Sequence, residues 1–536
     1  MTQRDRIFLF LAVIVVSLFA ILSETRDQWG FPLDDAWIHQ TYARNLADSG
    51  EWAFLAGEAS AASTAPFYTV VLSVGHLLNL SPLVWANILG VLALALAASM
   101  AARIAEQMYP DTPIVGWATG LIILSTWHVV WTAASGMETM LFMALSLTLL
   151  HVAFREIPPL PDQLSKNPRK QRRQLGNIEQ FIAPRAVMQR GALLGVIGGL
   201  LTLTRPEGMA LLGLIGLVAW FAFGVSDIQR YGFWAIAVGI GWLIVITPYT
   251  AWNYNLTGDL LPSTAGAKMA EFAPLREQSL PKRYTDMLIP ILAGAQFIAI
   301  PGIVVGLRLL WQKTTIDHRT ILFWVPLLWA IAHLTIFVIR LPAAYQHGRY
   351  VIPILPPLLL YASAGLIHLV QRYNKTPLQR VATRTLAASI ALGFPAFLWI
   401  GGQAFANDVR IINTEMVETA LWVRDNVPQN ELLAVHDIGA IGYYAPRPIL
   451  DLAGLVSPEI VPIIIDLDAQ MELICEREAQ WLMVFPDQRP TTPDDPRLQI
   501  AYESPYNFAN EARASETEIW KMRVYAVDCD ALPRIN

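Results

Sequence analysis

Charge is scarce in this chain. Only 15% of its 536 residues are Asp, Glu, Lys or Arg, 54% are hydrophobic, and the mean hydropathy is +0.42. A soluble globular domain carries about 25% charged residues, so the composition excludes that class and points to a polytopic membrane protein. Cysteine is nearly absent: Cys475 and Cys529 are the only two, too few for a cysteine-built zinc site. A disulfide outside the cytoplasm and two free thiols both remain open. There is no basic stripe, and the net charge of -5 excludes nucleic acid as a partner. There is no internal repeat, so the inverted-repeat signature of many transporters is missing. No small-residue cleavage pattern follows the first apolar run, 7–22, which ends in Ser-Glu-Thr-Arg. A retained anchor is expected rather than a signal peptide.

What is present is a series of apolar runs. A spanning helix needs roughly 20 mostly apolar residues, and eleven candidates run near 7–22, 84–103, 113–132, 138–154, 191–204, 207–224, 231–249, 288–310, 321–339, 350–370 and 385–402. The apolar stretch 66–80 is read as an interfacial or re-entrant helix. That choice places the loop 155–190, with eight cations against three acids, on the side of the N-terminus, and the positive-inside rule assigns that side to the cytoplasm. The large loop 23–83 and the C-terminal part then face outward. From about residue 404 charges and prolines rise, and β-rich runs at 431–437 and 480–485 alternate with a helical stretch at 414–426. These alternations predict a transmembrane domain over 1–403 and a compact extracytoplasmic α/β domain over 404–536.

The residues able to carry chemistry gather on the expected outer side. Asp34 and Asp35, in FPLDDAWIHQ, start an amphipathic helix that Gly50 stops. Capping accounts for such a pair, yet two acids just outside a bilayer also suit deprotonation of a hydroxyl or cation binding. A divalent ion there, Mg or Mn, is chemically plausible, although no spacing demands a cofactor. His39 lies one helical turn after Asp35. The small-residue run 57–68 allows close backbone approach to a ligand. Glu138 opens the fourth span, Arg205 and Glu207 flank the break at Pro206, Lys268 lies in GDLLPSTAGAK, and His347 and Arg349 precede the tenth span. Ionisable residues at span ends are costly and functional by default, although capping, snorkelling and structural pairing explain them one at a time. Arginines suit phosphate, and apolar walls suit a lipid tail.

In order and sidedness, LDDAW, ASTAPFYTVVL, SGMETMLF, LTRPEGMALL, TPYTAWNYNLTGDLLPSTAGAK and HGRYVIPILPP resemble the GT-C superfamily of polytopic membrane glycosyltransferases. The likeness covers about residues 7–402. It is strongest to the bacterial branch of arabinofuranosyltransferases and other polyprenyl-phosphate-sugar enzymes, and more distant to aminoarabinose transferases and protein O-mannosyltransferases. The resemblance implies inverting transfer from a polyprenyl-phosphate-linked sugar to a hydroxyl on a glycan, lipid or protein, at the outer face of a bacterial inner membrane. It also implies Asp34 as general base with Asp35 beside it, Arg205 and Arg349 as donor phosphate ligands, and Glu138 as an acid of the same cavity. By its place on the outer side Lys268 joins the expected phosphate ligands, and Glu207, His39 and His347 the expected cavity residues. Aminoarabinose transferases carry a lysine where this chain has Arg205, so their substrate does not carry over. A transporter or flippase of lipid-linked sugars is the competing reading. It predicts charges at the bilayer midplane, not gathered at one face.

Overall fold

A computed structural model describes residues 1–155, 183–225, 227–258, 260, 264–373, 375–505 and 521–531. Most of the cation-rich loop 155–190 therefore lies outside the described residues. Among the described residues eight helices are long and apolar enough to cross a membrane, and each falls on an expected span. The other three expected spans are shorter apolar helices. The third is divided at Thr126 into Val115–Ser125 and Trp127–Ala134, the fourth is Thr139–Phe154, and the sixth is Gly208–Ala219.

The first helix, α1 (Gln3–Arg26), opens on a capping box in which Thr2 and Asp5 satisfy each other's backbone N–H groups at 2.9 and 3.2 Å. It packs antiparallel on α4 (Pro82–Met108), where Arg103 reaches Asp5 at 2.8 Å and Arg4 pairs with Glu106. Lys313 donates to the Met108 carbonyl at 3.0 Å. These cations mark one end of the bundle. α1 carries the chain to the other end, where the loop 23–83, the charged residues of interest and the C-terminal domain all lie.

Within that loop, α2 (Asp35–Ser49) runs as expected to Gly50, whose left-handed φ of 73° ends it. The run 57–68 is pinned beneath it: Tyr42 Oη accepts the Ala62 N–H at 3.1 Å and meets Ser60 Oγ at 2.6 Å. The segment read as interfacial forms α3 (Pro66–Leu77), at 12 residues too short to span. Next, α5 (Val115–Ser125) and α6 (Trp127–Ala134) lead to α7 (Thr139–Phe154), and the chain bends by 117° between α6 and α7. Gly136, at φ 71° against the Phe31 ring, makes that bend.

The last span does not end at a linker. Helical residues continue from Pro377 to Asn426, with a π-helical segment at Ile412–Val417, so one rod connects the membrane bundle to the C-terminal domain. That domain is a five-stranded sheet in the order β2 (Ile449–Asp451), β1 (Leu433–Val435), β3 (Trp481–Val484), β5 (Arg523–Val527), β4 (Leu498–Glu503). β1 pairs parallel with both β2 and β3, and Leu433 is opposite Trp481; β5 is antiparallel to β3 and β4. The expected strands 431–437 and 480–485 are thus the parallel centre. Both cysteines are consumed in one disulfide, Cys475–Cys529.

Candidate active site

Three of the candidate side chains, Glu138, Arg205 and Arg349, are aimed by local breaks in regular structure. The bend between α6 and α7 presents Glu138, with Tyr68 Oη donating to the Gly136 carbonyl at 2.9 Å to brace it. Pro206 disfavours helical geometry in the residue before it, and Arg205 is extended at φ -154°, ψ 133° between the helices Pro184–Thr204 and Gly208–Ala219. Arg349 follows a turn in which Gln346, His347 and Gly348 have φ of 51°, 61° and 70°. For the two non-glycine residues this left-handed geometry costs about 1–2 kcal/mol each, the kind of strain that persists where surroundings over-determine it.

These breaks converge on one cavity of about 540 Å³, within the usual range for small-ligand sites. Of the nine residues singled out in the sequence, seven line it: Asp35, His39, Glu138, Arg205, Glu207, Lys268 and Arg349. Ala62 and Thr64 bring the small-residue run to its wall, and Met209, Ala210 and Ile336 supply an apolar side. The C-terminal domain contributes Leu455. Asp451 accepts N–H bonds from Ala453, Leu455 and Val456 at 2.9, 2.5 and 2.7 Å, which folds the loop that carries Leu455 over the opening.

At the centre, Asp35 lies 2.8 Å from Arg349 Nη2 and 3.2 Å from Lys268 Nζ. Burial works to raise the Asp35 pKa, but the two cations override it and hold the carboxyl below its ordinary range. Lys268, buried yet facing that carboxylate, is raised and stays protonated. Arg349 also donates to Tyr350 Oη at 2.9 Å and Tyr345 Oη at 3.2 Å, with its guanidinium 4.9 and 5.3 Å from those ring centres. Its Nε and Nη1 are buried and have no partner among the described residues. On the far side, Arg205 is neutralised by Glu138 at 3.2 Å and Glu207 at 3.5 Å, and His39 Nε2 is 3.3 Å from Glu138.

Two of the nine residues do not line the cavity. Asp34 accepts the backbone N–H groups of Gly439 at 2.6 Å and Ala440 at 2.8 Å, at the start of the C-terminal domain's Gly439–Tyr444 helix. Burial and the neighbouring Asp437 push its pKa up to about 7 against those two donors. Both Asp34 oxygens are thus bonded to backbone outside the cavity lining, while Asp35 is the member of the pair that lines it. Asp34 and Asp35 do not converge as metal ligands, one being held by N–H groups and the other by cations. Among the described residues no group of three His, Cys, Asp or Glu is placed to hold a metal. His347 turns instead to Asp408, its Nε2 2.8 Å from Oδ2. Sequence reasoning missed Tyr345 and Tyr350, although both flank Arg349 in YQHGRY, and Arg340 and Leu455, for which the sequence holds no signal.

Comparison with known proteins narrows the architecture. No curated protein matches the chain in sequence. A family model described as a domain of unknown function, DUF8728, matches residues 407–526, the C-terminal domain. The crystal structure of ArnT from Cupriavidus metallidurans bound to undecaprenyl phosphate is similar over 98% of this chain and 99% of that one, at 15% identity and a TM-score of 0.60. The Archaeoglobus fulgidus oligosaccharyltransferase, tethered to an acceptor peptide containing the NVT sequon, is similar over 89% of this chain and 69% of that one, at 12% identity and a TM-score of 0.57. The same archaeal enzyme, AglB, in complex with an inhibitory peptide and a dolichol-phosphate, gives a TM-score of 0.56. The fold is the GT-C fold. In GT-C terms the chain is a multi-pass membrane bundle whose loop 23–83 and C-terminal domain close over a charged cavity. That agreement spans nearly the whole of ArnT, C-terminal part included.

Proposed function

We propose that this protein is a membrane glycosyltransferase that moves a sugar from a polyprenyl-phosphate-linked donor to an acceptor hydroxyl, with inversion, on the extracytoplasmic face. The observation that carries the reading is the pairing of Arg349 and Lys268 on one carboxylate inside the cavity, with two guanidinium nitrogens of Arg349 left without a partner among the described residues. Two clustered cations sharing a single negative charge form a ready seat for a phosphate. The GT-C relatives described with undecaprenyl phosphate or dolichol-phosphate support a lipid phosphate as the ligand, and the apolar side of the cavity suits its chain. Arg205, already balanced by two acids, supports the wall that holds this seat.

In this reading the donor phosphate takes over Arg349 and Lys268 and releases Asp35. The acceptor oxygen attacks the anomeric carbon as the bond to the phosphate oxygen breaks, and Asp35 takes the acceptor proton. The two cations stabilise the charge that builds on the leaving phosphate. A single displacement inverts the anomeric centre. The disulfide Cys475–Cys529 supports an oxidising, extracytoplasmic location for the C-terminal domain, in agreement with the positive-inside assignment.

The deciding experiment offers purified protein in lipid nanodiscs a panel of polyprenyl-phosphate sugars and follows donor consumption, with NMR of the product's anomeric configuration. Turnover of one donor with inversion is expected. Tight donor binding without consumption of any donor or acceptor combination would shift the assignment to a carrier of lipid-linked sugars.

A further inference from the structure

His347 was singled out by sequence yet faces away from the cavity, and its surroundings give it a different task. Its Nε2 is 2.8 Å from Asp408 Oδ2, and Trp131 Nε1 donates to the same oxygen at 2.9 Å. The imidazole is held edge-on by two indoles, with Trp127 at 5.2 Å and Trp131 at 5.6 Å between ring centres. Asp408 belongs to the long last helix, Pro377–Ile411, and Trp131 lines the cavity. This three-part contact grips the middle residue of the left-handed run Gln346–His347–Gly348, immediately before Arg349.

Two adjacent non-glycine residues do not stay left-handed without an outside hold. A free 346–348 turn relaxes to negative φ, and that rotation carries the following Cα–Cβ direction with it, so the guanidinium leaves Asp35 and the two tyrosines. We propose that the His347–Asp408 contact is a clasp that keeps this turn left-handed and so sets Arg349, making His347 and Asp408 positioning residues for the donor phosphate. The inference rests on the reading of Arg349 and Lys268 as the phosphate seat. Because Trp131 touches both the cavity and Asp408, an occupant that presses on the indole also tightens or loosens the clasp.

The test measures undecaprenyl phosphate binding to full-length protein in nanodiscs. Arg349→Ala is expected to weaken it. Asp408→Asn and, as a second variant should the first fold poorly, His347→Gln are each expected to weaken it about tenfold, as when only a tenth of the molecules hold the competent turn. In turnover the loss should fall on KM for the donor and leave kcat nearly unchanged. Adding Gln346→Gly to Asp408→Asn should recover most of the affinity, because glycine adopts positive φ without strain; a role in general stability predicts no such rescue. Unchanged binding in Arg349→Ala overturns the phosphate seat and the clasp with it. Weakened binding in Arg349→Ala beside unchanged binding in Asp408→Asn and His347→Gln overturns the clasp alone, as does failure of Gln346→Gly to restore affinity.

Discussion

Replacing Asp35 by Asn separates two roles that the proposed mechanism gives one carboxylate. Asp35 bridges Arg349 at 2.8 Å and Lys268 at 3.2 Å, and in that mechanism the donor phosphate displaces it from both. A hydrogen bond to a charged group contributes about 1.5–3 kcal/mol. Removing the charge of Asp35 therefore relieves the competition by roughly one such bond, and undecaprenyl phosphate should bind the variant roughly 10- to 100-fold more tightly. Turnover should move the opposite way, with kcat falling by about 10² to 10⁴, the usual contribution of a general base. Stability adds a third reading. Two neighbouring buried cations without their shared anion should lower the thermal midpoint of the empty variant, and saturating undecaprenyl phosphate should restore it, since a ligand that binds only the folded state stabilises it. The assays are lipid-phosphate titration, single-turnover donor consumption and thermal denaturation in the same nanodisc preparation. Affinity and turnover both at wild-type levels would refute the reasoning; looser binding would show that Asp35 helps to hold the ligand rather than competing with it.

Other expectations follow from the same geometry. Lys268→Ala should weaken donor binding less than Arg349→Ala, because the planar guanidinium of Arg349 presents two buried nitrogens without a partner among the described residues and can grip a phosphate in two places; equal losses in titration would contradict this. Reducing the disulfide, or Cys475→Ser, should destabilise the C-terminal domain by up to about 4 kcal/mol on the chain-entropy model for its 54-residue separation, measured as a drop in denaturation midpoint. His436, raised to about 9 because Asp437, Glu271 and Asp451 outweigh the effect of burial, binds a proton in the native state that the unfolded chain releases near 6.5. Its stabilisation is complete below that pH and is lost as pH rises toward 9. His436→Gln should therefore flatten the fall in thermal midpoint between those pH values. A cysteine placed at position 165 should be shielded from an impermeant thiol reagent in intact cells, and labelling there would invert the topology.

The apolar runs were legible because a bilayer demands length and hydropathy, which a sequence displays directly. The three that came out short, α5 with α6, α7, and Gly208–Ala219, are broken at Thr126, at the Gly136 bend and at Pro206, and the last two breaks present Glu138 and Arg205 to the cavity. The charged residues were legible as a set because each is costly in its place, and seven of nine share one cavity. The choice between Asp34 and Asp35 was not legible. They are neighbours in sequence, and what separates them is a helix more than 400 residues later, whose Gly439 and Ala440 take one carboxylate and leave the other. Likewise nothing local to HGRY told whether His347 or Arg349 faced inward; Asp408 and Trp131 decided it from distant segments.

The hold of Gly439 and Ala440 on Asp34 spans 405 residues, and it bears on how the protein comes into being. Helix α2 leaves the ribosome 405 residues ahead of the backbone that seats it. At Gly439 any side chain would collide with Asp34, whose carbonyl lies 2.1 Å from where a Cβ would stand, so no other residue type can close that join. During synthesis, then, the newborn bundle carries its charged groups without their final arrangement, and the cavity is complete only when the C-terminal domain has folded and docked.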